Sequence, residues 1–215
     1  MRVLIACERS GVVRRAFRAR GYAAWSCDIE PADDDSPYHI RHDVLDVIDG
    51  WLFKGEYWIT PWDLMIAHPP CTDLAVSGSR WFAEKRADGR QQSAIDFFMK
   101  LAQAPIPRIA LEQPISIISS AYRKPDQVIH PYQFGHPEFK ATSIWLKNLP
   151  LLQPTDILMP PHRDSEEWIA WNRVHRMPPG PDRAKNRSET YAGIAGAMAE
   201  QWGKETPYQN ELIFE

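Results

Sequence analysis

The sequence predicts an α/β fold in which helices cover both faces of a mostly parallel sheet. Along the first 150 residues, short apolar runs typical of strands alternate with apolar residues at helical spacing. Such alternation predicts right-handed crossovers between parallel strands. The 215 residues are enough for one domain with an appendage. Ligands of these folds bind outside the carboxyl ends of the strands, so the residues after each strand are the candidate site residues.

The first two strands are predicted over residues 2–6 and 22–27, with a helix over residues 12–19 between them. Gly21 ends this helix. The acids Asp28 and Glu30 follow the second strand. Residues 31–38 lack periodicity and predict a solvated loop, whereas residues 44–53 predict a short helix.

A third strand over residues 62–67 leads into the loop 68–71, where two prolines allow neither a helix start nor a ladder partner. An amphipathic helix over residues 91–104 precedes a fourth strand over residues 108–111. A further strand is predicted over residues 139–146 and a last helix over residues 190–202. The residues that follow the strands are therefore expected at one edge of the sheet.

Composition and charge exclude several classes of protein. The 25 Lys and Arg residues against 28 Asp and Glu give a net charge of -3, so any nucleic-acid contact must come from a local basic face. Three cysteines without CxxC spacing argue against a disulfide framework and a zinc cage, and indicate a reducing compartment. The sequence has no leader and no apolar run of about 18 residues. We therefore expect a cytoplasmic protein that is neither exported nor membrane-spanning and that holds no metal.

Cys71 is the first candidate for chemistry, because a cysteine directly after two prolines is held in a fixed direction. This placement suits a nucleophile, whose thiolate nearby positive groups such as His68 and Arg80 would favour. A small buried apolar cysteine is the alternative. A zinc deaminase would require a second cysteine at position 74, which is Leu74.

Carboxyl groups at three strand ends are further candidates. Glu112 ends an apolar strand, so we expect its carboxyl group to be partly desolvated, with a raised pKa and a proton to donate to a ring nitrogen. Asp28 or Glu30 is placed as a carboxylate that binds ribose hydroxyls, and Asp43 could bind an adenine amino group. Ordinary solvated acids are the alternative at each position. The single Gly11 in the first turn does not predict a pyrophosphate cradle.

The order of these residues resembles the DNA cytosine C5-methyltransferase family, in particular its short phage-type members. Pro70-Cys71 followed by Ser77-Gly78 is similar to the family's Pro-Cys nucleophile loop, and Glu112-Gln113-Pro114 is similar to its Glu-Asn-Val or Glu-Asn-Pro motif. Residues 138–142 fall where the family has its Gln-x-Arg-x-Arg strand. The resemblance covers about residues 2–150 and 187–203. It implies a Rossmann-like fold that uses S-adenosylmethionine to methylate C5 of cytosine in DNA.

The resemblance also implies roles for individual residues. Cys71 would add to C6 of cytosine, Glu112 would hold N3 and the exocyclic amine, and Lys140 would contact the pyrimidine. The implied cofactor contacts are Ala6, Cys7, Glu8, Ser10, Gly11, Asp28, Glu30, Asp43 and Pro69. The implied contacts to DNA are Ser77, Arg80, Thr142, Arg183, Lys185 and Arg187, with Lys85, Arg86 and Arg90 as further candidates for phosphate. Ordinary solvated surface is the alternative for these basic runs.

The sequence departs from the family in three places. Its first turn lacks the usual aromatic residue and further glycines, Lys140 alone keeps a basic side chain in its strand, and the large target-recognition domain is missing. We predict a catalytic domain over residues 1–150, a Pro/Trp-rich insertion or reduced recognition region over residues 151–187, a completing helix over residues 188–203 and a tail over residues 204–215. Target recognition would then be reduced, built from the insertion, or supplied by a protein partner.

Two alternatives to cytosine methylation stay open. The chain could transfer a different one-carbon group from a modified sulfonium donor, or act on a free nucleotide. It could also be a non-catalytic module that binds the cofactor or DNA. The intact Cys71 and Glu112 count against the module, since binding alone needs no thiol.

Overall fold

A single seven-stranded sheet carries the fold in the computed structural model, which describes residues 1–49, 61–178, 180, 187 and 190–204. The strands are β1 (Arg2–Ala6), β2 (Ala23–Asp28), β3 (His39–Arg41), β4 (Leu64–Ala67), β5 (Arg108–Pro114), β6 (Gln127–Ile129) and β7 (Thr142–Lys147). Their order is β3-β2-β1-β4-β5-β7-β6, and β7 runs antiparallel to both of its neighbours while the other pairings are parallel. The predicted mostly parallel α/β fold is thus confirmed.

Seven helices lie between and after these strands in the described part of the chain. They are α1 (Val12–Arg18), α2 (Phe82–Ala87), α3 (Arg90–Ala102), α4 (Ile118–Ala121), α5 (Glu166–Trp171), α6 (Arg173–Arg176) and α7 (Ala192–Gln201). Three 3-10 helices span Val44–Asp46, Val76–Trp81 and Pro131–Gln133. Within the described part of the chain, each helix is too short or too polar to pass through a lipid bilayer.

The sheet buries apolar side chains on both faces, because successive residues of a strand point to opposite sides. On one face, Val3 and Ile5 of β1 share a buried cluster with Phe17 of α1 and Trp202 after α7. On the other face, Leu4 and Ala6 of β1 join a cluster with Phe98 of α3. Helices therefore cover both faces, and the polar strand ends are left for a site.

The predicted elements differ from the structure mainly towards the far edge of the sheet. β5 continues to Pro114, because β7 pairs with it antiparallel up to the contact of Pro114 with Thr142. The strand predicted from residue 139 begins at Thr142. The three-residue strands β3 and β6 were not predicted. Of the helix predicted over residues 44–53, a 3-10 helix forms over Val44–Asp46, and residues 50–53 lie outside the described residues.

The described part of residues 151–187 packs on the chain segment before β7. The backbone amide of Gly135 donates to the carbonyl of Asp156 at 2.8 Å, and that of Phe139 donates to Trp171 at 2.8 Å. The rings of Phe139 and Trp171 also contact each other, with centroids 5.3 Å apart. The predicted domain boundaries stay a prediction, as does the tail, of which residues 205–215 lie outside the described residues.

Candidate active site

Two buried side chains of opposite charge meet where β4 and β5 end. The register pairs Ala67 of β4 with Leu111 of β5, so the next residues, His68 and Glu112, are neighbours. Nδ1 of His68 lies 3.1 Å from Oε2 of Glu112, and the two side chains are only 16% and 15% exposed. The sheet register therefore fixes an ion pair at the carboxyl edge that was expected to hold the site.

The loop that carries Cys71 starts directly after this ion pair and is held from both sides. The buried side-chain amide of Gln113 on β5 donates a hydrogen bond to the carbonyl of Pro69. From the other side, the buried ammonium of Lys85 on α2 donates to the carbonyl of Thr72 at 2.5 Å and lies 3.2 Å from the Asp73 carboxylate. The proline loop is thus fixed before and after Cys71, whose side chain is half-buried.

The other two residues expected to contact the base, Glu112 and Lys140, both act electrostatically on the Cys71 thiol. Burial raises the pKa of the Cys71 thiol above its ordinary value, against the charges of Lys140 and Arg187, which favour the thiolate, while Glu112 opposes it. Lys140 lies just before β7, and because β7 is antiparallel its start lies at the edge where β5 ends. Cys71, Glu112 and Lys140 are therefore within electrostatic reach of one another.

The ionisation of Glu112 differs from the expected one. Burial alone would raise the pKa of its carboxyl group, but the charges of His68 and Lys140 lower it below the ordinary value. The expectation of a raised pKa was wrong, because it considered the desolvation of Glu112 without the cations that face it. The two cations therefore favour the carboxylate form of Glu112.

The turn after β1 is built around a second buried carboxylate. Glu8 is 4% exposed, and its Oε1 accepts from the backbone amide of Val13 at 2.7 Å. This bond satisfies an amide at the start of α1. Both Cys7 and Gly11 adopt left-handed backbone conformations, with φ of 57° and 68°. A left-handed backbone is rare at a residue with a side chain, such as Cys7. Because this residue is not glycine, the sequence did not predict the conformation.

Acids gather at the neighbouring ends of β1 and β2. Burial raises the pKa of Cys27 to about 12, and the charges of Asp28 and Asp43 act in the same direction. The same two acids raise the pKa of Cys7, after the larger effect of burial. Asp28 is half-buried, whereas Glu30 and Asp43 are exposed. Asp28 and Asp43 thus face the turn after β1, and the Glu30 carbonyl contacts Nε2 of His39 at 2.9 Å.

The remaining expected site residues lie in different surroundings. Ser10 is half-buried in the first turn, and Ala6 and Pro69 are buried. Ser77 and Arg80 are exposed on the segment after Cys71. Thr142 is 2% exposed, and its hydroxyl donates to the carbonyl of Lys140 at 3.3 Å. Arg183 and Lys185 lie outside the described residues, while Arg187 acts on Cys71.

Two of the basic residues expected to contact phosphate have partners within the protein. Lys85 is buried against the proline loop, and Arg90 pairs with Glu84 at 2.7 Å and with Asp88 at 2.6 Å. Reasoning from the sequence treated both as surface charges. Their positions in the sequence did not indicate that the Lys85 side chain points inwards.

Sequence reasoning also missed a buried carboxylate next to Lys140. Glu138 is 6% exposed, and its Oε2 accepts from the Tyr191 hydroxyl at 2.5 Å and from Arg173 at 3.0 Å. The Lys140 ammonium lies 5.4 Å from the centre of the Tyr191 ring. Lys140 therefore projects from a segment that is tied to the residues before α7. Among the described residues, no group of three His, Cys, Asp or Glu side chains could hold a metal ion.

Comparison with known proteins shows a similarity of structure rather than of sequence. No protein-family model and no curated protein sequence matches the chain. Among solved structures, it is similar to a protein encoded within an E. coli prophage and assigned as a DNA modification methyltransferase, with a TM-score of 0.51 and 16% identity. The similarity covers 74% of this chain and 52% of that protein, so this chain spans about half of its length. At this identity the similarity establishes a shared fold.

Proposed function

We propose that the chain is a DNA cytosine C5-methyltransferase that uses S-adenosylmethionine and forms a covalent bond between Cys71 and C6 of the target base. The observation that supports this proposal most is that Cys71, Glu112 and Lys140 lie within electrostatic reach of one another near the carboxyl edge of β4 and β5. The fold shared with the prophage protein, which is assigned as a DNA modification methyltransferase, supports the same reaction class.

A thiol, a carboxyl group and a cation in one space fit the chemistry of cytosine. C5 is a poor nucleophile until a group adds to C6. Cys71 reacts as a thiolate, which the charges of Lys140 and Arg187 favour against the burial that raises the pKa of the thiol. Glu112 donates a proton to N3 as the C6–S bond forms, so that charge does not build up on the ring. Once C5 carries the transferred group, its proton passes to water, the N3 proton returns to Glu112 and the C6–S bond breaks, which releases the modified base and the Cys71 thiolate.

The ends of β1 and β2 offer the donor set that S-adenosylmethionine requires. The half-buried Asp28 carboxylate fits ribose hydroxyls and the exposed Asp43 carboxylate fits an adenine amine, since both acids lie close to the turn after β1. When bound there, the cofactor supplies an electrophilic methyl group. Glu8 shapes this turn from within, because its carboxylate is bonded to the first amides of α1.

The segment after Cys71 has a surface that suits unstacked nucleic acid. Trp81 is 49% exposed, and the Arg80 guanidinium lies 5.1 Å from the centre of its ring. Val76 and Ile115 are also exposed, and the amide of Val76 donates to the carbonyl of Ile115 at 3.0 Å. An aromatic face with a cation beside it binds bases and phosphates. A duplex cytosine would have to be flipped out to reach Cys71.

Trapping with DNA that contains 5-fluorocytosine tests the proposal, because fluorine at C5 cannot leave as a proton and the C6–S bond persists. With S-adenosylmethionine present, the wild-type protein and the matched cysteine variant Cys27→Ser should form a denaturation-resistant adduct, and Cys71→Ser should not. Mass analysis of nucleosides from ordinary DNA should find 5-methylcytosine. A different added mass would indicate another one-carbon donor. If neither an adduct nor a modified nucleoside forms, the enzyme proposal is refuted.

A further inference from the structure

His68 stands between two acidic side chains from neighbouring strands. Glu112 lies 3.1 Å from its Nδ1, and the charge of Glu8 acts on it from the turn after β1. The backbone amide of His68 donates to the carbonyl of Ala6 at 2.9 Å, which fixes the residue beside that turn. Nε2 of His68 is buried and has no hydrogen-bond partner among the described residues. The imidazole is therefore positioned by its backbone and by Glu112.

We propose that His68 supplies Glu112 with the proton that this carboxyl group gives to the target base, which makes His68 a positioning residue of the reaction. The inference rests on the proposed function, in which Glu112 protonates N3. His68 acts through Glu112 and does not itself need to touch the base.

The charges in the resting site explain why Glu112 requires a proton donor. Glu112 faces two cations, which keep it ionised, yet the reaction needs it as an acid. The pKa of His68 is raised by the nearby carboxylates Glu112 and Glu8, against its burial and the charge of Lys140. These charges favour a proton on His68, whose Nδ1 lies 3.1 Å from the Glu112 oxygen that must receive it.

Of the two cations that act on Glu112, His68 is the one suited to give up a proton. Lys140 contributes the charge of its ammonium group to the site. An imidazole titrates near pH 6.5 and exchanges its proton readily. Lys140 thus stabilises charge, whereas His68 can change charge during turnover.

The proton balance of the proposed step is complete within the site and the base. The Nδ1–H bond of His68 breaks and an O–H bond forms at Oε2 of Glu112, which leaves a neutral imidazole and a neutral carboxyl group. The carboxyl proton then passes to N3 of cytosine as sulfur bonds to C6. When the C6–S bond breaks, the proton returns from N3 to Glu112 and from there to His68.

A titration without DNA or cofactor tests the ion pair directly. The imidazole nitrogen signals of 15N-labelled protein should report a His68 that stays protonated to higher pH than an ordinary histidine. In Glu112→Gln this titration should move to lower pH, because the largest favourable charge is lost. An unchanged His68 titration in Glu112→Gln would overturn the proposal whether or not the protein is an active methyltransferase.

The rate of methyl transfer in a single turnover tests the proton supply. The wild-type rate should fall as pH rises through the titration of His68, because the site then lacks the proton for Glu112. His68→Gln should lower the rate at neutral pH at least ~10-fold and remove this alkaline decline. In His68→Ala, added imidazole should restore part of the rate. The matched variant His42→Gln, which removes a histidine that pairs with Asp46 at the surface, should keep the wild-type profile.

The outcomes separate this inference from the proposed function. A slower His68→Gln that keeps the wild-type pH profile and gains nothing from imidazole in His68→Ala would overturn the inference, since the residue would then be merely structural. A wild-type protein that methylates no cytosine would refute the proposed function itself, and the role of His68 in it, while the titration would still report whether the ion pair exists.

Discussion

Replacing Lys85 by Met should destabilise the protein and disturb the loop that carries Cys71. The Lys85 side chain is 8% exposed, and its ammonium bonds the Thr72 carbonyl and pairs with Asp73. Met has a similar length and apolar stem, so Lys85→Met removes the charge while largely filling the same space. The variant therefore tests the charge and its bonds more than the packing.

The expected size of the effect follows from the bonds lost. Each hydrogen bond to a charged group contributes about 1.5–3 kcal/mol. The Asp73 side chain keeps 23% exposure, although the oxygen that pairs with Lys85 is itself buried. We expect the free energy of unfolding to fall by about 3 kcal/mol, which lowers Tm by about 6–12 °C in a chain of this size.

Equilibrium unfolding in urea measures this change, and Arg90→Met is the matched control. Arg90 lies in the same region and also makes two ion pairs, with Glu84 and Asp88, but its side chain is 49% exposed. Ion pairs at the surface contribute little to stability, so the control should unfold like the wild type. Equal effects of the two substitutions, or a wild-type unfolding curve for Lys85→Met, would refute the view that Lys85 is a buried brace of the Cys71 loop.

Other predictions concern turnover, pH and DNA affinity. Glu112→Gln should lower methyl transfer at least ~100-fold in single-turnover assays while leaving S-adenosylmethionine affinity in calorimetry nearly unchanged, and equal turnover would mean that the acid lies elsewhere. Bonds to Arg14 and Arg15 overcome the burial of Asp34 and lower its pKa. Its contribution to stability should therefore be present above about pH 4 and be lost as pH falls through the lowered value, and unfolding curves of Asp34→Asn should depend less on pH in this range. Trp81→Ala should weaken single-stranded DNA binding about 5- to 10-fold in fluorescence titrations without changing Tm, and an unchanged affinity would exclude base stacking on this ring.

The central strands of the fold could be predicted because their signals are local. The apolar runs at β1, β2, β4 and β5 are short and end at turns, and the helical spacing after β1 and before β5 is clear. Parallel pairing followed from their alternation with helices. The strands β3 and β6 have three residues each, which is too short for a period to appear.

The site residues stay a prediction, and the structure adds electrostatics that the sequence did not indicate. The strand-end rule placed Cys71 and Glu112 at one edge from sequence alone. The ionisation of Glu112 depends on His68 and on Lys140, which reaches the site from the far side of β5. The His68 neighbour follows from the strand register, which the sequence does not specify. The buried carboxylate of Glu138 accepts a hydrogen bond from Tyr191, which lies more than fifty residues later. No local sequence pattern predicts such a pair.

The loop 31–38 shows the same limit at the other edge of the sheet. It was expected to be solvated, yet Asp34 bonds the buried guanidinium of Arg14 on α1. Arg14 also donates to the Ser26 hydroxyl at 2.8 Å, which contacts Nδ1 of His39 at 2.9 Å. A run of aspartates has the composition of a solvent-exposed loop. The structural role of Asp34 comes from its bond to Arg14, which the composition does not indicate.

The packing of α7 on α1 has a consequence for how the protein is made. Phe17 of α1 and Met198 of α7 share one apolar cluster with the central strand. During synthesis on a ribosome, β1 and α1 emerge well before α7, because the remaining strands lie between them in the sequence. Nascent chains should therefore expose this apolar surface and bind chaperones until α7 is released. Chains cut off before residue 192 should accumulate as aggregates in cells.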